Sequence, residues 1–254
     1  MSSHDSIGRI LRVALTLCVV CSVIVSTAAV LLKPAQEANK DLDRKRNILA
    51  AGGMLEEGKT VDELFERIEA RYVDMRTGQF TDAVPPGYEQ RSASKDPSLS
   101  IDIENDLAKI GRRADYAEVY LVAGSGDSLD KIILPVHGYG LWSTLYGFIA
   151  LESDANTVAG LGFYEHGETP GLGGEVDNPR WKAQWPGKQV YRDGEVEISL
   201  LKGSVDRGSD DAPWQVDGLS GATLTSRGVT NLLQFWLGEQ GFGPFLENLK
   251  SGEA

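Results

Sequence analysis

The stretch Thr144-Leu145-Tyr146-Gly147-Phe148-Ile149-Ala150-Leu151-Glu152-Ser153-Asp154-Ala155-Asn156-Thr157-Val158-Ala159-Gly160-Leu161-Gly162-Phe163-Tyr164 places two apolar runs on either side of a short polar turn. Both runs contain β-branched and aromatic residues, and the turn contains Ser, Asp and Asn. Two such runs joined by turn residues are typical of a β-hairpin. We therefore expect strands over Thr144–Leu151 and Thr157–Tyr164.

A second pair of strands is predicted before this hairpin. Ala117–Val122 and Lys131–Val136 bracket the turn residues Gly124-Ser125-Gly126-Asp127, and Val196–Leu201 reads as a further strand. Helical patterns occupy both ends of the same region. This order of elements predicts an α+β fold with a twisted antiparallel sheet flanked by helices.

The segment before the strands predicts one helix and one long loop. Thr60 and Glu63 form the pattern of a capping box, and apolar residues recur at helical spacing after them. This spacing predicts a helix from Val61 to about Tyr72. Asp82–Ser100 is rich in Pro, Ser and charge, and is predicted to be a loop.

The N-terminus contains an uncharged apolar segment, Val13–Leu32, which follows Arg9 and Arg12. Twenty residues at about 1.5 Å each span a hydrocarbon core of about 30 Å. A cleaved secretory signal is the alternative, because Ser26-Thr27-Ala28-Ala29 offers small residues for cleavage. Signal cores are usually shorter, which favours an uncleaved transmembrane helix over residues 13–32. The charged stretch Pro34–Arg46 is predicted to continue as a helix, closed by Gly52 and Gly53.

The net charge disfavours one class of partner. The formal net charge is −12, which disfavours a nucleic-acid partner because a phosphate backbone would be repelled.

Cys18 and Cys21 both lie in the apolar segment. They are best explained as small apolar residues, although packing against another membrane helix or metal binding is an alternative.

The richest candidate site is Asp217-Gly218-Leu219-Ser220-Gly221-Ala222-Thr223-Leu224-Thr225-Ser226, which directly precedes the apolar run Val229–Leu237. Glycine allows close approach of the backbone, and the N-terminal end of a helix attracts an anion. Small residues with hydroxyls at a junction from loop to helix therefore suit a phosphate. The alternative is a Ser or Thr that merely caps an ordinary helix.

Two further glycine-rich segments follow predicted strands, His137–Thr144 and Glu165–Glu175. Trp142, Pro170 or Leu172 can cover an aromatic plate, and Thr169 can hydrogen-bond its edge. No pair of His or Cys residues has the spacing of a strong metal motif, so no metal site is predicted. The downstream residues Trp181, Trp185 and Trp214 are interpreted as core or loop anchors, or as parts of an electron path.

The segment Asp217–Thr223 resembles, without a break, the flavinylation motif of proteins that carry FMN through a threonine phosphoester. The nearly full-length pattern, with one membrane helix, a soluble FMN-binding domain and this motif near the end, resembles the NqrC family of the sodium-translocating NADH:quinone oxidoreductase. The resemblance implies that Thr223 is the acceptor, that a separate flavin transferase attaches the FMN, and that Asp217 belongs to the recognised motif or caps the turn.

The resemblance also carries over a set of flavin-contacting candidates. Besides Thr223, these are Ser220, Gly221, Ala222, Leu224, Thr225, Gly140, Leu141, Trp142, Ser143, Thr144, Glu168, Thr169, Leu172 and Gly173. It implies a cytoplasmic tail over residues 1–12 and a periplasmic domain over residues 33–254, anchored in the bacterial inner membrane, with the FMN-binding region over about 115–240. Lys33, Lys40, Arg44, Lys45 and Arg46 follow the span, and a count of basic residues alone favours the opposite orientation.

Three functions stay open. The first is a one-electron carrier in the six-subunit NADH:ubiquinone oxidoreductase, not catalytic alone, since no dinucleotide-binding fingerprint is present. The second is the homologous flavin subunit of the ferredoxin:NAD oxidoreductase complex. The third is a membrane-anchored binding or assembly module whose Ser220–Thr223 loop is only a helix cap.

Overall fold

The computed structural model describes residues 7–124, 126 and 128–254. The chain divides into two compact units, Met1–Arg44 and Lys45–Ala254. Ser125 and Asp127, which belong to the turn predicted after the first strand pair, lie outside the described residues, as does the first half of the predicted N-terminal tail.

Helix α1 runs from Ile7 to Ala51 and confirms that the charged stretch after the apolar segment is helical. The side chains over the predicted span are exposed to the surroundings. Within the described part of the chain, α1 is the one helix that is long and apolar enough to cross a membrane, judged by length and composition. The helix ends before Gly53, whose φ of 65° lies in the left-handed region that glycine adopts without strain.

The second unit is built on a six-stranded antiparallel sheet, which confirms the predicted fold class. The four strands predicted by the hairpin patterns are all present. The strands of the sheet are β1 Ile68–Asp74, β2 Gln79–Phe80, β5 Tyr116–Ala123, β6 Leu129–Tyr139, β7 Thr144–Glu152 and β8 Val158–Glu165, and β3 Ser100–Asp102 and β4 Arg112–Ala114 form a separate pair. The strand order in the sheet is β2-β1-β5-β6-β7-β8.

Apolar side chains cover both faces of this sheet. On one face, helix α5 (Thr223–Leu237) places Val229, Leu232 and Trp236 against the sheet, and α6 (Gly243–Ser251) joins the same cluster. On the other face, the end of α1 and helix α2 (Val61–Phe65) contribute a smaller cluster. Burial of each large aliphatic side chain stabilises the fold by about 1.5–3 kcal/mol.

The helix predicted from Val61 to Tyr72 is wrong in its second half. The capping box of Thr60 and Glu63 forms as expected, but α2 ends at Phe65. The following residues form β1, which pairs with β5 over seven residues from Ile68 to Asp74. Isoleucine, tyrosine and valine in that segment suit a strand, and pairing with a central strand overrides the helical spacing.

The strand predicted over Val196–Leu201 is also wrong as a single element. Its residues divide between two short strands. Strand β10 (Glu195–Val196) pairs with β9 (Tyr191–Arg192), and β11 (Ser199–Leu200) pairs in parallel with β12 (Gln215–Val216). The predicted loop His137–Thr144 is shorter than expected, because residues 137–139 end β6 and Thr144 begins β7. The remaining short helices are α3 Gln90–Ala93 within the predicted loop, α4 Pro179–Lys182, and two 3-10 helices over Gly173–Asp177 and Ala212–Trp214.

Candidate functional site

The hydroxyl-rich motif forms a tight loop that leads into α5. Gly221 has a φ of 71°, which favours glycine, and the added Cβ of any other residue would lie 2.9 Å from Leu172 Cδ2. Ala222 occupies the N-cap of α5 and has no side-chain oxygen. The alternative of a Ser or Thr cap is therefore wrong, and the first N–H groups of α5 form an end suited to an anion.

Two threonines of the first turn of α5 have opposite surroundings. Thr223 is exposed, as is Ser220 in the preceding loop. Thr225 is fully buried, and its Oγ1 donates a hydrogen bond of 2.6 Å to Glu168 Oε2. The motif therefore presents the Thr223 hydroxyl at the surface and keeps the Thr225 hydroxyl inside the domain.

The acidic start of the motif connects separate chain segments. Asp217 Oδ1 accepts a hydrogen bond of 2.7 Å from the N–H of Val205, and its carbonyl oxygen accepts one of 2.9 Å from Trp181 Nε1. Next to it, a Cβ at Gly218 would collide with the carbonyl oxygen of Leu201. The Asp217-Gly218 pair thus holds the 201–205 segment against the motif.

A cavity of about 740 Å³ adjoins the loop of the hydroxyl-rich motif, residues 217–223. Its wall includes Thr223, Ser220 and Asp217 from the motif, together with polar and apolar groups from two other segments. Three cationic side chains line it: Arg180, Lys202 and Arg227. In a chain of net charge −12, three cations around one cavity make it a favourable place for an anion.

Glu168 occupies the centre of a buried hydrogen-bond network. It is 5% exposed, and its Oε1 accepts hydrogen bonds from the N–H groups of Leu141 at 3.0 Å, Trp142 at 2.9 Å and Ser143 at 3.4 Å. Burial opposes its charged form, but hydrogen bonds from Thr225 and from these three N–H groups outweigh burial and hold the pKa of Glu168 below its ordinary value.

Glycines leave the room that this carboxylate occupies. A Cβ at Gly140 would lie 2.6 Å from Glu168 Oε1, and a Cβ at Gly173 would lie 2.6 Å from both Glu168 Oε2 and Thr225 Oγ1. The turn itself is closed by a 2.9 Å bond from the N–H of Gly140 to the carbonyl of Ser143. The two glycine-rich loops and the first turn of α5 therefore meet at Glu168.

Three exposed apolar side chains lie on the two glycine-rich loops and at the start of α5. Trp142 is 66% exposed, Leu224 is 52% exposed and Leu172 is 43% exposed. Leu172 also packs beside Gly221, within the loop of the hydroxyl-rich motif. Contiguous exposed apolar surface is typical of sites that bind a ligand or a partner.

Most of the predicted site residues lie in this region, and a few have roles within the chain. Thr144 is half-buried and begins β7, where it pairs with Tyr139. Thr169 is exposed, and its carbonyl accepts from the N–H groups of Leu172 and Gly174. The hydrogen-bonding atoms of Glu168 and Thr225 are directed to protein partners, so direct contact of these two side chains with a ligand stays a prediction.

The sequence reasoning missed the three cations of the cavity. Arg180 belongs to α4, Lys202 follows β11 and Arg227 lies on α5, so no local motif joins them. The single available signal was the position of Arg227, four residues after Thr223, which places both near one side of a helix. Arg180 and Lys202 reach the site only because the chain folds back on the motif.

The histidines near the site are engaged in local structure. His166 Nε2 lies 2.8 Å from Asp177 Oδ2, and the N–H of Glu168 donates to His166 Nδ1 at 3.2 Å. Within the described ranges there is no group of three His, Cys, Asp or Glu residues placed to hold a metal ion. Trp181 and Trp185 are buried and pack edge to face, which places both in the core.

Comparison with known proteins places these loops in a recognised domain. The model of a family described as FMN-binding domain matches residues 140–238, which extend from the Gly140 turn to the end of α5. A crystal structure of NqrC from Shewanella oneidensis matches with a TM-score of 0.78 and 37% identity, covering 84% of this chain and 99% of that one.

Full-length relatives give the same answer. The C subunit of the Na(+)-translocating NADH-quinone reductase of Vibrio vulnificus strain YJ016 is 52% identical, with 99% of both chains covered. The protein of that name from Pseudomonas aeruginosa is 56% identical over 262 residues, with all of both chains covered. With identity of this level along the entire length, and with the same domain fold around the motif, this chain belongs to the NqrC family of the Na(+)-translocating NADH-quinone reductase.

Proposed function

We propose that this chain is the electron-carrying NqrC component of a membrane-bound, sodium-translocating NADH:quinone oxidoreductase, and that it carries FMN as a phosphoester on Thr223. The observation that carries the proposal is the exposed Thr223 hydroxyl at the N-terminal end of α5, beside a cavity lined by three cations. The resemblance of Asp217–Thr223 to a flavinylation motif and the family membership support it.

The residues around Thr223 fit FMN in charge and in polarity. The negative charge of a phosphoester would be balanced by the uncapped N–H groups of α5 and by three cations, Arg180, Lys202 and Arg227. Trp142, Leu172 and Leu224 offer exposed apolar surface to an aromatic ring. FMN supplies, when bound, a ring system that accepts and donates electrons, while the protein supplies position and electrostatics.

Attachment needs help from outside this chain. A threonine hydroxyl is a weak nucleophile at its free pKa and requires a base or a metal to activate it. We therefore assign the step to a separate flavin transferase with FAD as donor. The bond from Thr223 Oγ1 to the flavin-side phosphorus forms as the bond between the two phosphates breaks, AMP leaves, and the hydroxyl proton passes to a base of the transferase.

The same proposal places the chain in the membrane. Residues 13–32 would span the bacterial inner membrane once, with residues 1–12 in the cytoplasm and residues 33–254 in the periplasm, where about 115–240 would hold the flavin. The exposed apolar surface of α1 supports the span. The orientation follows the family resemblance, against the count of basic residues. The partners would be the other subunits of the six-subunit complex, which includes the site of NADH oxidation.

The test is flavin fluorescence of the full-length chain after denaturing electrophoresis, following production with a flavin transferase. We expect a fluorescent band in the parent chain, loss of the band in Thr223→Ala, and retention in Ser204→Ala, which removes an exposed hydroxyl that lines the same cavity but lies outside the motif. Mass spectrometry of the peptide that contains residue 223 should show one added FMN phosphoester. The assignment would be contradicted if the peptide containing residue 223 were unmodified in the parent chain produced with the transferase. A fluorescent flavin band in Thr223→Ala would also contradict it.

The other two functions have less support. The relatives of this chain carry the name of the quinone reductase, and no observation favours the ferredoxin:NAD oxidoreductase complex. The binding or assembly module has lost the helix cap that was offered for it, because Ala222, which has no side-chain oxygen, occupies the N-cap of α5.

A further inference from the structure

Glu168 is the point at which three parts of the site are joined. One oxygen of its carboxylate accepts hydrogen bonds from the N–H groups of the Leu141–Ser143 turn, and the other oxygen accepts a hydrogen bond from the Thr225 hydroxyl. The turn bears Trp142, and Thr225 lies on the same helical turn as Thr223. A single buried side chain therefore ties the exposed tryptophan to the first turn of α5.

This connection leaves little freedom for the parts that it joins. Gly140 and Gly173 approach the carboxylate so closely that neither position has space for a Cβ. The N–H of Glu168 is itself held by His166 Nδ1, and Ser143 Oγ accepts the N–H of Gly167 at 2.5 Å. Since the two loops are bonded to each other both at the Glu168 carboxylate and at the neighbouring Gly167, the carboxylate acts as a rigid spacer.

The spacer is charged as well as rigid. A carboxylate that accepts three or four hydrogen bonds is stabilised in its ionised form, although it is almost fully buried. Its field is weakly screened because little water surrounds it. A fixed negative charge next to an electron acceptor opposes the arrival of an electron.

We propose that Glu168 is a positioning residue that sets the place of Trp142 relative to Thr223, and that its charge makes the reduction potential of the bound flavin more negative. This inference rests on the proposed attachment of FMN to Thr223. It assigns Glu168 no direct contact with the flavin. Thr225 serves as the donor that partly neutralises the carboxylate.

The electrostatic part of this proposal is tested by the flavin midpoint potential of the full-length chain in detergent, measured by spectroelectrochemical titration. Glu168→Gln keeps the shape but removes the charge, and should move the potential in the positive direction. Thr225→Val keeps the charge but removes a donor, and should move it in the negative direction, while Thr225→Ser should restore the parent value. Glu165→Gln is the matched control, because it removes an exposed carboxylate three residues away.

The positioning part is tested without flavin, by hydrogen exchange of the Leu141–Ser143 amides in the chain produced without transferase. Loss of an acceptor worth about one hydrogen bond should speed their exchange about tenfold in Glu168→Ala and leave it unchanged in Glu165→Gln. Unchanged exchange in Glu168→Ala would overturn the positioning role.

The outcomes separate this inference from the proposed function. A parent chain with no covalent flavin contradicts the function, and the exchange experiment still tests Glu168. A flavin-loaded chain whose potential is the same in the parent, Glu168→Gln and Thr225→Val contradicts the electrostatic role alone. Shifts of the same sign in Glu168→Gln and Thr225→Val would also contradict it, because general loosening moves both in one direction.

Discussion

At the scale of single residues, the site depends on which way a side chain points from the first turn of α5. Successive residues of a helix are separated by about 100°, so Thr223 and Thr225 face nearly opposite directions. One hydroxyl is exposed beside a cationic cavity, and the other is enclosed and bonded to Glu168. Identical side chains thus acquire different chemistry from a two-residue difference in position.

A second residue with a strong environmental effect is His137. Its ring lies 4.8 Å from that of Trp236 and is stacked 5.3 Å from that of Tyr146. Burial, assisted by the positive charge of Arg91 and opposed by Asp106, lowers the pKa of His137 from 6.5 to about 4. The imidazole is therefore neutral in the folded chain near neutral pH.

We predict a pH-dependent loss of stability from His137. Between pH 6.5 and about 4 the unfolded chain binds more protons than the folded chain, so this contribution is complete above pH 6.5 and is lost as the pH falls. From about pH 7 to about pH 5, the free energy of unfolding should fall by roughly 2 kcal/mol more in the parent chain than in His137→Phe. Urea unfolding in detergent measures this difference.

His137→Phe keeps an aromatic ring between Trp236 and Tyr146 but cannot titrate, so it serves as the reference for the other acidic and basic groups. Parallel curves for the two chains over this pH range would show that His137 has an ordinary pKa in the folded chain.

At the scale of elements, sequence patterns succeeded where one local signal was sufficient. The hairpin predicted from Thr144–Leu151 and Thr157–Tyr164 is present because its two strands and the turn between them are contiguous in sequence. The pattern failed at Ile68–Asp74, where pairing with β5 outweighs helical spacing. It also failed at Val196–Leu201, whose residues pair with two different segments. The spacing of apolar residues within a segment does not show whether that segment pairs with a strand that is distant in sequence.

The crossing of α5 over the end of β6 gives an element-scale prediction. A Cβ at Gly228 would lie 2.5 Å from the carbonyl oxygen of Tyr139 and 2.9 Å from Gly140 Cα. We expect Gly228→Ala to lower the free energy of unfolding by about 1–3 kcal/mol, measured by chemical denaturation. Helix propensity alone would give the opposite sign, by about 1 kcal/mol.

Gly162→Ala is the control for this change, since no described heavy atom lies within 4 Å of its added Cβ. It should alter the free energy of unfolding by less than about 0.5 kcal/mol. If Gly228→Ala is as stable as Gly162→Ala, α5 does not approach the Tyr139–Gly140 backbone this closely.

At the scale of the whole molecule, site residues could be predicted from the sequence where they are close together in the chain. The motif around Thr223 and the glycine-rich loops were recognisable because each is continuous in sequence. The cations Arg180, Lys202 and Arg227 were not, because three separate segments contribute them. The central position of Glu168 depends on backbone N–H groups, which have no signature in the sequence.

The proposed topology predicts the side of the membrane from which a labelling reagent can reach the domain. In a chain with Cys18 and Cys21 replaced by alanine, Glu195→Cys places a thiol at an exposed position of the domain. A membrane-impermeant maleimide should label it in intact spheroplasts, because residues 33–254 would lie outside. Gel shift of the labelled protein measures this.

The matching control is Ser6→Cys in the same background, which should react only after the cells are lysed. Labelling of Ser6→Cys and protection of Glu195→Cys in intact spheroplasts would reverse the topology, in agreement with the basic residues that follow the span.

The enclosure of Thr225 has one more consequence, which concerns the order of events in the cell. A mature domain offers a modifying enzyme a single hydroxyl in this turn, whereas a nascent, unstructured polypeptide would display both. A prosthetic group attached at position 225 would therefore show that the attachment took place before the chain folded.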